Sequence, residues 1–168
     1  HIKVDGLQDF RPVGAFSFLG RYRIIDFPIS NMSNSGIDNI EVFIRRKPRS
    51  LTEHLGTGRH YNINSKRGKL HILPAKNMDD VDFYNNDINS YMFNMQAIED
   101  VNQPYVILAP AHMIYRQDFS NLLDAHIESG ADVTLAYAQE EIPEGLIKPF
   151  DVNKDLYYTC LLYTSDAA

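Results

Sequence analysis

The chain has 168 residues, of which 44% are hydrophobic and 23% are charged, a composition typical of a globular domain rather than a disordered one. Its 16 Lys and Arg against 22 Asp and Glu give a net charge of −6, which disfavours general binding to nucleic acid. The single cysteine, Cys160, excludes an internal disulfide framework. No apolar run approaches the roughly 20 residues needed to cross a bilayer, so we expect no membrane association.

The two ends of the sequence suggest a piece of a longer chain. The first residue is His1 rather than methionine. The last nine residues, CLLYTSDAA, resemble the translated sequencing-adapter tails of metagenomic gene fragments. We therefore expect a partial domain over residues 1–159 and a non-native tail over residues 160–168. The alternative is that the tail is a native C-terminal strand.

Apolar periodicity predicts alternating helices and strands in the first half of the chain. A helix is predicted over residues 22–35, and Pro28 places its true start nearer Asp26 because proline suits a first helical turn. Gly36 should end this helix. The next predicted elements are a strand over 39–44, a basic loop over 45–49, a short helix capped by Ser50 and Glu53 and running to about Leu55, and a strand over 69–73 that ends at Pro74.

The second half continues the alternation. It contains an amphipathic helix over 86–100, whose apolar positions are Ile88, Tyr91, Met92, Met95 and Ile98. The remaining predicted elements are a strand over 103–109 buried on both faces, a helix over 119–129 closed by Gly130, and a strand over 131–138. Strands that alternate with helices predict an α/β domain with a mainly parallel sheet.

Ligands of open parallel sheets bind beyond the carboxyl ends of the strands, and the first such end here is basic. Ile44 leads into Arg45, Arg46, Lys47 and Arg49. Guanidinium forks suit phosphate groups, so these residues form a candidate anion site. The alternative is an ordinary solvated loop.

The second strand end, at residues 109–115, lacks the acidic group that a metal site needs. Mg²⁺ prefers oxygen ligands, yet this turn supplies no carboxylate before Asp118. His112 is a candidate ligand contact, the alternative being a structural hydrogen bond. Since no dinucleotide fingerprint, P-loop, nucleophile elbow or zinc-ligand spacing occurs, the residues alone indicate an α/β domain with a candidate anion site.

Residues 20–37, GRYRIIDFPISNMSNSGI, strongly resemble bacterial glucose-1-phosphate adenylyltransferase. The segments RSLTEHL at 49–55, 105–115 and 125–134 resemble the same family in order and spacing, so the likeness covers roughly residues 7–138. It implies a Rossmann-like, GT-A-like nucleotidyltransferase domain that is incomplete at both ends. The family makes ADP-glucose and pyrophosphate from ATP and glucose 1-phosphate with Mg²⁺, for glycogen synthesis in the cytoplasm, as allosterically controlled tetramers.

Four departures from the catalytic pattern stand out within this resemblance. Ala111 replaces the family's metal-binding Asp, and Val13 replaces its phosphate-facing Lys. The segment at 83–90 lacks the family's Arg and Thr, and Arg45 replaces a nucleotide-facing Gln. Together these losses resemble the regulatory, D-type subunit of the family. We therefore expect no catalytic residue and no bound Mg²⁺, and the candidate nucleotide or effector contacts are Arg45, Arg46, Lys47, Arg49, Asn31 and His112.

The leading hypothesis is a catalytically impaired regulatory subunit that works with a catalytic subunit in a hetero-tetramer. Its ligand would be ATP, ADP-glucose or a phosphorylated effector. One alternative is an active nucleotidyltransferase with other metal ligands, such as Asp118. Another is a stand-alone sensor of sugar nucleotides.

Overall fold

The computed structural model describes residues 6–7, 10–44, 47–56, 58–63, 68–74, 87–139 and 156–164. The chain divides into two compact units. Unit 1 comprises residues 1–103 and 111–119, and unit 2 comprises residues 104–110 and 120–168.

Helices and strands alternate along the described chain. The helices are α1 (Asp26–Asn34), α2 (Arg49–Leu55), α3 (Asp87–Phe93), α4 (Met95–Glu99) and α5 (Phe119–Ser129), with 3₁₀ turns at Val13–Ala15 and Arg59–Tyr61. The strands are β1 (Ser17–Phe18), β2 (Tyr22–Arg23), β3 (Asn39–Ile44), β4 (Lys69–Pro74), β5 (Tyr105–Leu108), β6 (Val133–Gln139) and β7 (Leu156–Thr164). The predicted α/β class is confirmed.

Unit 1 is built around a parallel pair of strands. β3 pairs with β4 in register from Asn39 opposite Lys69 to Ile44 opposite Pro74, and the chain between them passes through α2. Alternate residues of β3 point to one face, so its three isoleucine and valine side chains enter the core. The buried core residues of this unit are Ala15, Ile25, Ile29, Ile40, Val42, Ile44, Leu51, Leu55, Tyr61 and Ile63.

The first helix begins later than the outer limit of its predicted range, residues 22–35. It begins at Asp26, because Tyr22 and Arg23 pair with β1 in an antiparallel hairpin instead. Pro28 lies in the first turn, where its missing N–H has no intrahelical partner to lose. Gly36 follows the helix with φ +77°, as predicted for a left-handed helix end.

The predicted cap of α2 is wrong. Ser50 lies inside the helix, which begins at Arg49 after Pro48. The φ of −64° at Pro48 already suits a helix, so the chain turns helical before Ser50. Glu53 accepts a hydrogen bond from Nε of Arg49 at 2.8 Å, which is an exposed pair one helical turn apart. The predicted end at Leu55 is confirmed.

The long helix predicted over residues 86–100 is two short helices, α3 and α4. The helical path breaks at Asn94, where φ is −108° and the side-chain amide donates to the carbonyl of Ser90 at 3.0 Å. Tyr91 packs edge-on against Phe43, with ring centroids 5.3 Å apart. The expected apolar stripe is only partly buried, because Ile88, Met92 and Met95 remain 41–65% exposed.

Unit 2 contains a three-stranded sheet in the order β5-β7-β6. β7 is antiparallel to both neighbours, so β5 and β6 run in the same direction, with α5 between them in sequence. His126 of α5 is 1% exposed and shares a hydrogen bond of 2.7 Å with the hydroxyl of Thr134 on β6. The predicted helix over 119–129 is confirmed, whereas β5 is only partly buried rather than enclosed on both faces.

Strand β7 crosses the predicted boundary between residues 159 and 160. It pairs with β5 and β6 through residues on both sides of that boundary. Pairing describes how the peptide folds and not its origin, so the non-native tail stays a prediction. Among the described residues, no helix is both long enough and apolar enough to cross a bilayer.

The register of β3 and β4 depends on Gly68, which precedes β4. A Cβ at this position would overlap the backbone carbonyl and the Cβ of Asp38, just before β3. We expect Gly68→Ala to lower the free energy of unfolding by about 1–3 kcal/mol, because backbone on both sides must shift. Urea unfolding followed by circular dichroism measures this change.

Gly36→Asn is the matched control for this substitution. Gly36 has a positive φ with open space around it, and asparagine tolerates that conformation. Its cost should be below about 1 kcal/mol, because asparagine escapes much of the penalty that other side chains incur in the left-handed region. Equal costs for the two variants would contradict the steric explanation.

Candidate functional site

Two turns of unit 1 lie against each other at the positions where the resemblance implies active-site charges. One is the 3₁₀ turn Val13–Ala15, and the other follows β5 in sequence and begins at Ala111. A Cβ placed on Gly14 would lie 3.0 Å from the carbonyl oxygen of Ala111 and 3.8 Å from its Cβ. Residues almost a hundred positions apart in sequence are therefore neighbours in space.

Helix α1 supports both turns. The backbone N–H of Ile25, the residue before α1, donates to the carbonyl of Gly14 at 3.0 Å. The side-chain amide of Asn31 donates to the carbonyl of Tyr115 at 2.8 Å. At the other end, the hydroxyl of Ser35 accepts the backbone N–H of Phe119 at 2.9 Å. The spacing between the two turns thus depends on how firmly α1 is held.

A buried carboxylate holds the start of α1. Oδ1 of Asp26 accepts hydrogen bonds from the hydroxyl of Tyr61 and from Nε2 of His54, each at 2.6 Å. Oδ2 accepts the backbone N–H of Arg23 at 2.8 Å. The guanidinium of Arg23 also donates to the carbonyl of Ser50 on α2. These contacts join α1 to β2, α2 and the 3₁₀ turn Arg59–Tyr61.

The hydrogen bonds decide the protonation of this cluster. Burial by itself raises the pKa of Asp26, but the donors from Arg23, Tyr61 and His54 outweigh it, so the pKa is lowered. Burial and the hydrogen bond to Asp26 both raise the pKa of Tyr61. At neutral pH the cluster therefore contains an ionised carboxylate and a protonated phenol, and the phenol proton remains available as a donor.

The basic residues predicted as an anion site are only partly within the described chain. Lys47 is exposed and has a φ of +52°. Arg49 is also exposed and is paired with Glu53. Arg45 and Arg46 lie outside the described residues. The two basic residues that are described, Lys47 and Arg49, are both exposed, and the anion site stays a prediction.

Asn31 and His112 belong to the same region of unit 1. His112 follows Ala111 in the turn and is exposed. Asn31 uses its amide nitrogen to hold that turn through Tyr115, so it already has a structural role that the sequence did not reveal. The cluster of Asp26, His54 and Tyr61 was also missed. The one signal for this cluster in the sequence was Asp26, an acidic residue on the buried side of α1.

Comparison with known proteins identifies a family that covers this region. Residues 10–148 match the model of the Nucleotidyl transferase family. The chain belongs to the nucleotidyl transferase family. The match includes both turns of the site, all of α1 and the residues that bind Asp26.

Curated relatives of this nucleotidyl transferase carry the name glucose-1-phosphate adenylyltransferase. The protein from Clostridioides difficile (strain 630) is 37% identical over 123 residues, covering 73% of this chain and 32% of the relative. That from Bacillus subtilis (strain 168) is 32% identical over 162 residues, covering 89% and 43%. That from Roseobacter denitrificans is 38% identical over 149 residues, covering 88% and 35%. The chain thus spans less than half the length of these relatives.

The turn at Ala111 does not fit a magnesium ion. Mg²⁺ needs oxygen ligands, usually carboxylates supplemented by water and phosphate, and Ala111 is an exposed methyl group. Within the described part of this nucleotidyl transferase, no three His, Cys, Asp or Glu side chains are grouped as metal ligands. The side chain of Ala111 therefore offers no ligand to a metal ion.

Asp26→Asn tests the carboxylate at the start of α1. It replaces an ionised acceptor of three hydrogen bonds by a neutral amide, and we expect a loss of about 1–3 kcal/mol in the free energy of unfolding near neutral pH. Tyr61→Phe removes one donor and should cost about 1 kcal/mol. Urea unfolding of both variants measures these losses.

The loss in Asp26→Asn should depend on pH. Because folding lowers the pKa of Asp26, its stabilising contribution is complete above the unfolded value near 3.9 and is lost as the pH falls through the folded value. The deficit of the variant should therefore be largest near neutral pH and shrink below about pH 4. An equal deficit in acid and at neutral pH would contradict the assigned ionisation.

Asn31→Asp tests the support of the second turn. The change removes the donor to Tyr115 and places a carboxylate against a carbonyl oxygen, so the turn at residues 111–115 should open more often. Hydrogen exchange at the backbone N–H of Phe119, which is bonded to Ser35 at the end of the same segment, should speed up by about tenfold, corresponding to about 1.4 kcal/mol. Asn39→Asp, at the exposed start of β3, is the control and should leave exchange there unchanged. Unaltered exchange in Asn31→Asp would show that α1 does not hold this turn.

Proposed function

We propose that this chain is part of a regulatory, catalytically impaired subunit of bacterial glucose-1-phosphate adenylyltransferase. The observation that carries the proposal is the contact between the turns at Val13–Ala15 and Ala111. The resemblance implies a lysine at Val13 and a metal-binding aspartate at Ala111. This chain therefore has uncharged side chains at two implied charge positions on adjoining turns.

Missing charges at such positions have a direct chemical consequence. Transfer of a nucleotidyl group depends almost wholly on positioning and on stabilising the charge that develops around phosphorus. Removing one stabilising group commonly costs on the order of 10²–10³ in rate. Loss of both a lysine and a metal ligand would leave little activity in the chain itself.

On this proposal a partner subunit catalyses the nucleotidyl transfer. The chain would assemble in the cytoplasm with a catalytic subunit of the same family, as a hetero-tetramer, and would bind no Mg²⁺ of its own. ATP, ADP-glucose or a phosphorylated effector would be its ligand. The contacts we propose for that ligand are Arg45, Arg46, Lys47, Arg49, Asn31 and His112.

Activity measurements on the complete subunit that carries this segment test the proposal. With ATP, glucose 1-phosphate and Mg²⁺, pyrophosphate release by the subunit alone should be at least about 10²-fold below that of a catalytic subunit. The double variant Val13→Lys with Ala111→Asp should raise release, because Ala111 is exposed and has room for a carboxylate. The control Val13→Lys with Ile114→Asp puts the carboxylate three residues away and should not raise it.

Co-assembly provides the second arm of the test. Mixing the subunit with a catalytic subunit should change its maximal rate or its response to phosphorylated effectors. No change in either quantity would refute the regulatory role. Robust pyrophosphate release by the unmodified subunit would favour an active enzyme with other metal ligands. Tight binding of ADP-glucose without any partner, measured by calorimetry, would favour a stand-alone sensor.

A further inference from the structure

Gly14 is a buried glycine whose backbone conformation does not require glycine. Six of the described glycines have a positive φ, which residues other than glycine rarely adopt, but Gly14 is not one of them. It is buried within the 3₁₀ turn Val13–Ala15, whose backbone angles any L-residue can adopt. The reason for glycine at this position therefore lies in its surroundings.

These surroundings leave no room for a methyl group. A Cβ on Gly14 would lie 3.0 Å from the carbonyl oxygen of Ala111 and 3.5 Å from the Cβ of Ile25. The second distance is an ordinary van der Waals contact, whereas the first is closer than carbon and oxygen atoms normally approach. An added methyl group would therefore form a wedge between the residue that precedes α1 and the turn at Ala111.

The turn at Ala111 is the side that would yield to such a wedge. The 3₁₀ turn is held by the backbone N–H of Ile25, which donates to the carbonyl of Gly14 at 3.0 Å, and it packs against α2. Ala111 and His112 lie outside any helix or strand and are exposed. A side chain at position 14 would therefore displace Ala111 and, with it, the neighbouring His112.

Hydrogen bonds to α1 oppose this displacement a few residues further along the chain. The amide of Asn31 donates to the carbonyl of Tyr115 at 2.8 Å, and the hydroxyl of Ser35 accepts the N–H of Phe119 at 2.9 Å. These bonds hold the segment against α1, whereas a methyl group on Gly14 would push its first residue away from the start of that helix. Both demands are met only when position 14 carries no side chain.

We propose that Gly14 is a positioning residue of the candidate site. Because it carries no side chain, the Ala111 turn can lie against the Val13–Ala15 turn, and this contact sets where His112 presents its imidazole. Gly14 acts through Ala111 and is not itself a ligand contact. The role of His112 as a ligand contact rests on the proposed function, but the placement of the turn by Gly14 does not, so the two can fail separately.

Histidine resonances of the complete subunit, measured by nuclear magnetic resonance, report this placement directly. Gly14→Ala should shift the imidazole resonances of His112, which are assigned by their absence from His112→Gln, because the turn that carries this side chain must move. Ser17→Thr, the control, also adds one methyl group, at an exposed position of β1, and should leave them unchanged. Unshifted His112 resonances in Gly14→Ala, or an equal shift in the control, would overturn the proposal.

Hydrogen exchange at the N–H of Phe119 tests whether the wedge and the bond of Asn31 act on the same segment. Gly14→Ala alone should speed this exchange by about fivefold, because the methyl group strains a segment that Asn31 holds in place. In the Asn31→Asp background the segment can move aside, so Gly14→Ala should add less than about twofold. Effects that simply multiply would show that Gly14 does not act on this segment.

The effect on chemistry is measured in the double variant Val13→Lys with Ala111→Asp. Adding Gly14→Ala should lower kcat for pyrophosphate release by at least about tenfold, because small displacements of reacting groups cost rate. The KM for glucose 1-phosphate should stay within about twofold, since the change misplaces groups without removing a binding contact. An unchanged kcat would overturn the positioning role. A double variant that releases no more pyrophosphate than the unmodified subunit would contradict the proposed function, while His112 resonances and exchange at Phe119 still decide the role of Gly14.

Discussion

A buried carboxylate must receive hydrogen bonds from its surroundings, and Asp26 receives them from three separate segments. Tyr61, His54 and the backbone of Arg23 all donate to it. Each donor comes from a different part of the first 61 residues, so the carboxylate can be satisfied only when those parts are in place together. This requirement ties the start of α1 to the core of Ile25, Leu51 and Leu55. The carboxylate thus fixes the start of α1, while Asn31 and Ser35 make contacts further along it.

Because hydrogen bonds to Asp26 fix the start of α1, this helix can position the two turns that it contacts. Ile25 supports the turn at Gly14, and Asn31 supports the turn that begins at Ala111. The family match covers the two turns where the resemblance implies a lysine and a metal ligand, while the side chains there, Val13 and Ala111, are neutral. That combination supports the proposed regulatory role.

Much of the fold was accessible from the sequence where the signal was local. The strand at 39–44 and the helix at 119–129 were predicted with the bounds they have, because apolar periodicity and terminal glycines act over a few residues. The errors arose where a neighbouring residue in the sequence overrode the expected pattern. Ser50 has an N-cap pattern, but Pro48 starts α2 earlier. The apolar stripe after residue 86 suggested one buried helix, but the chain breaks at Asn94 and only part of the stripe is covered.

For the candidate site too, some features could be predicted from the sequence and others required the structure. The sequence by itself determined the family resemblance, the α/β class and the neutral residues at Val13 and Ala111, since these depend only on residue identity and short-range pattern. Only the tertiary structure decided that Gly14 and Ala111 are neighbours, that Asn31 holds the second turn, and that Asp26 collects donors from His54 and Tyr61. Those partners are 28 to 97 positions apart. No local pattern specifies contacts over such separations, because they form only when the helices and strands between them pack.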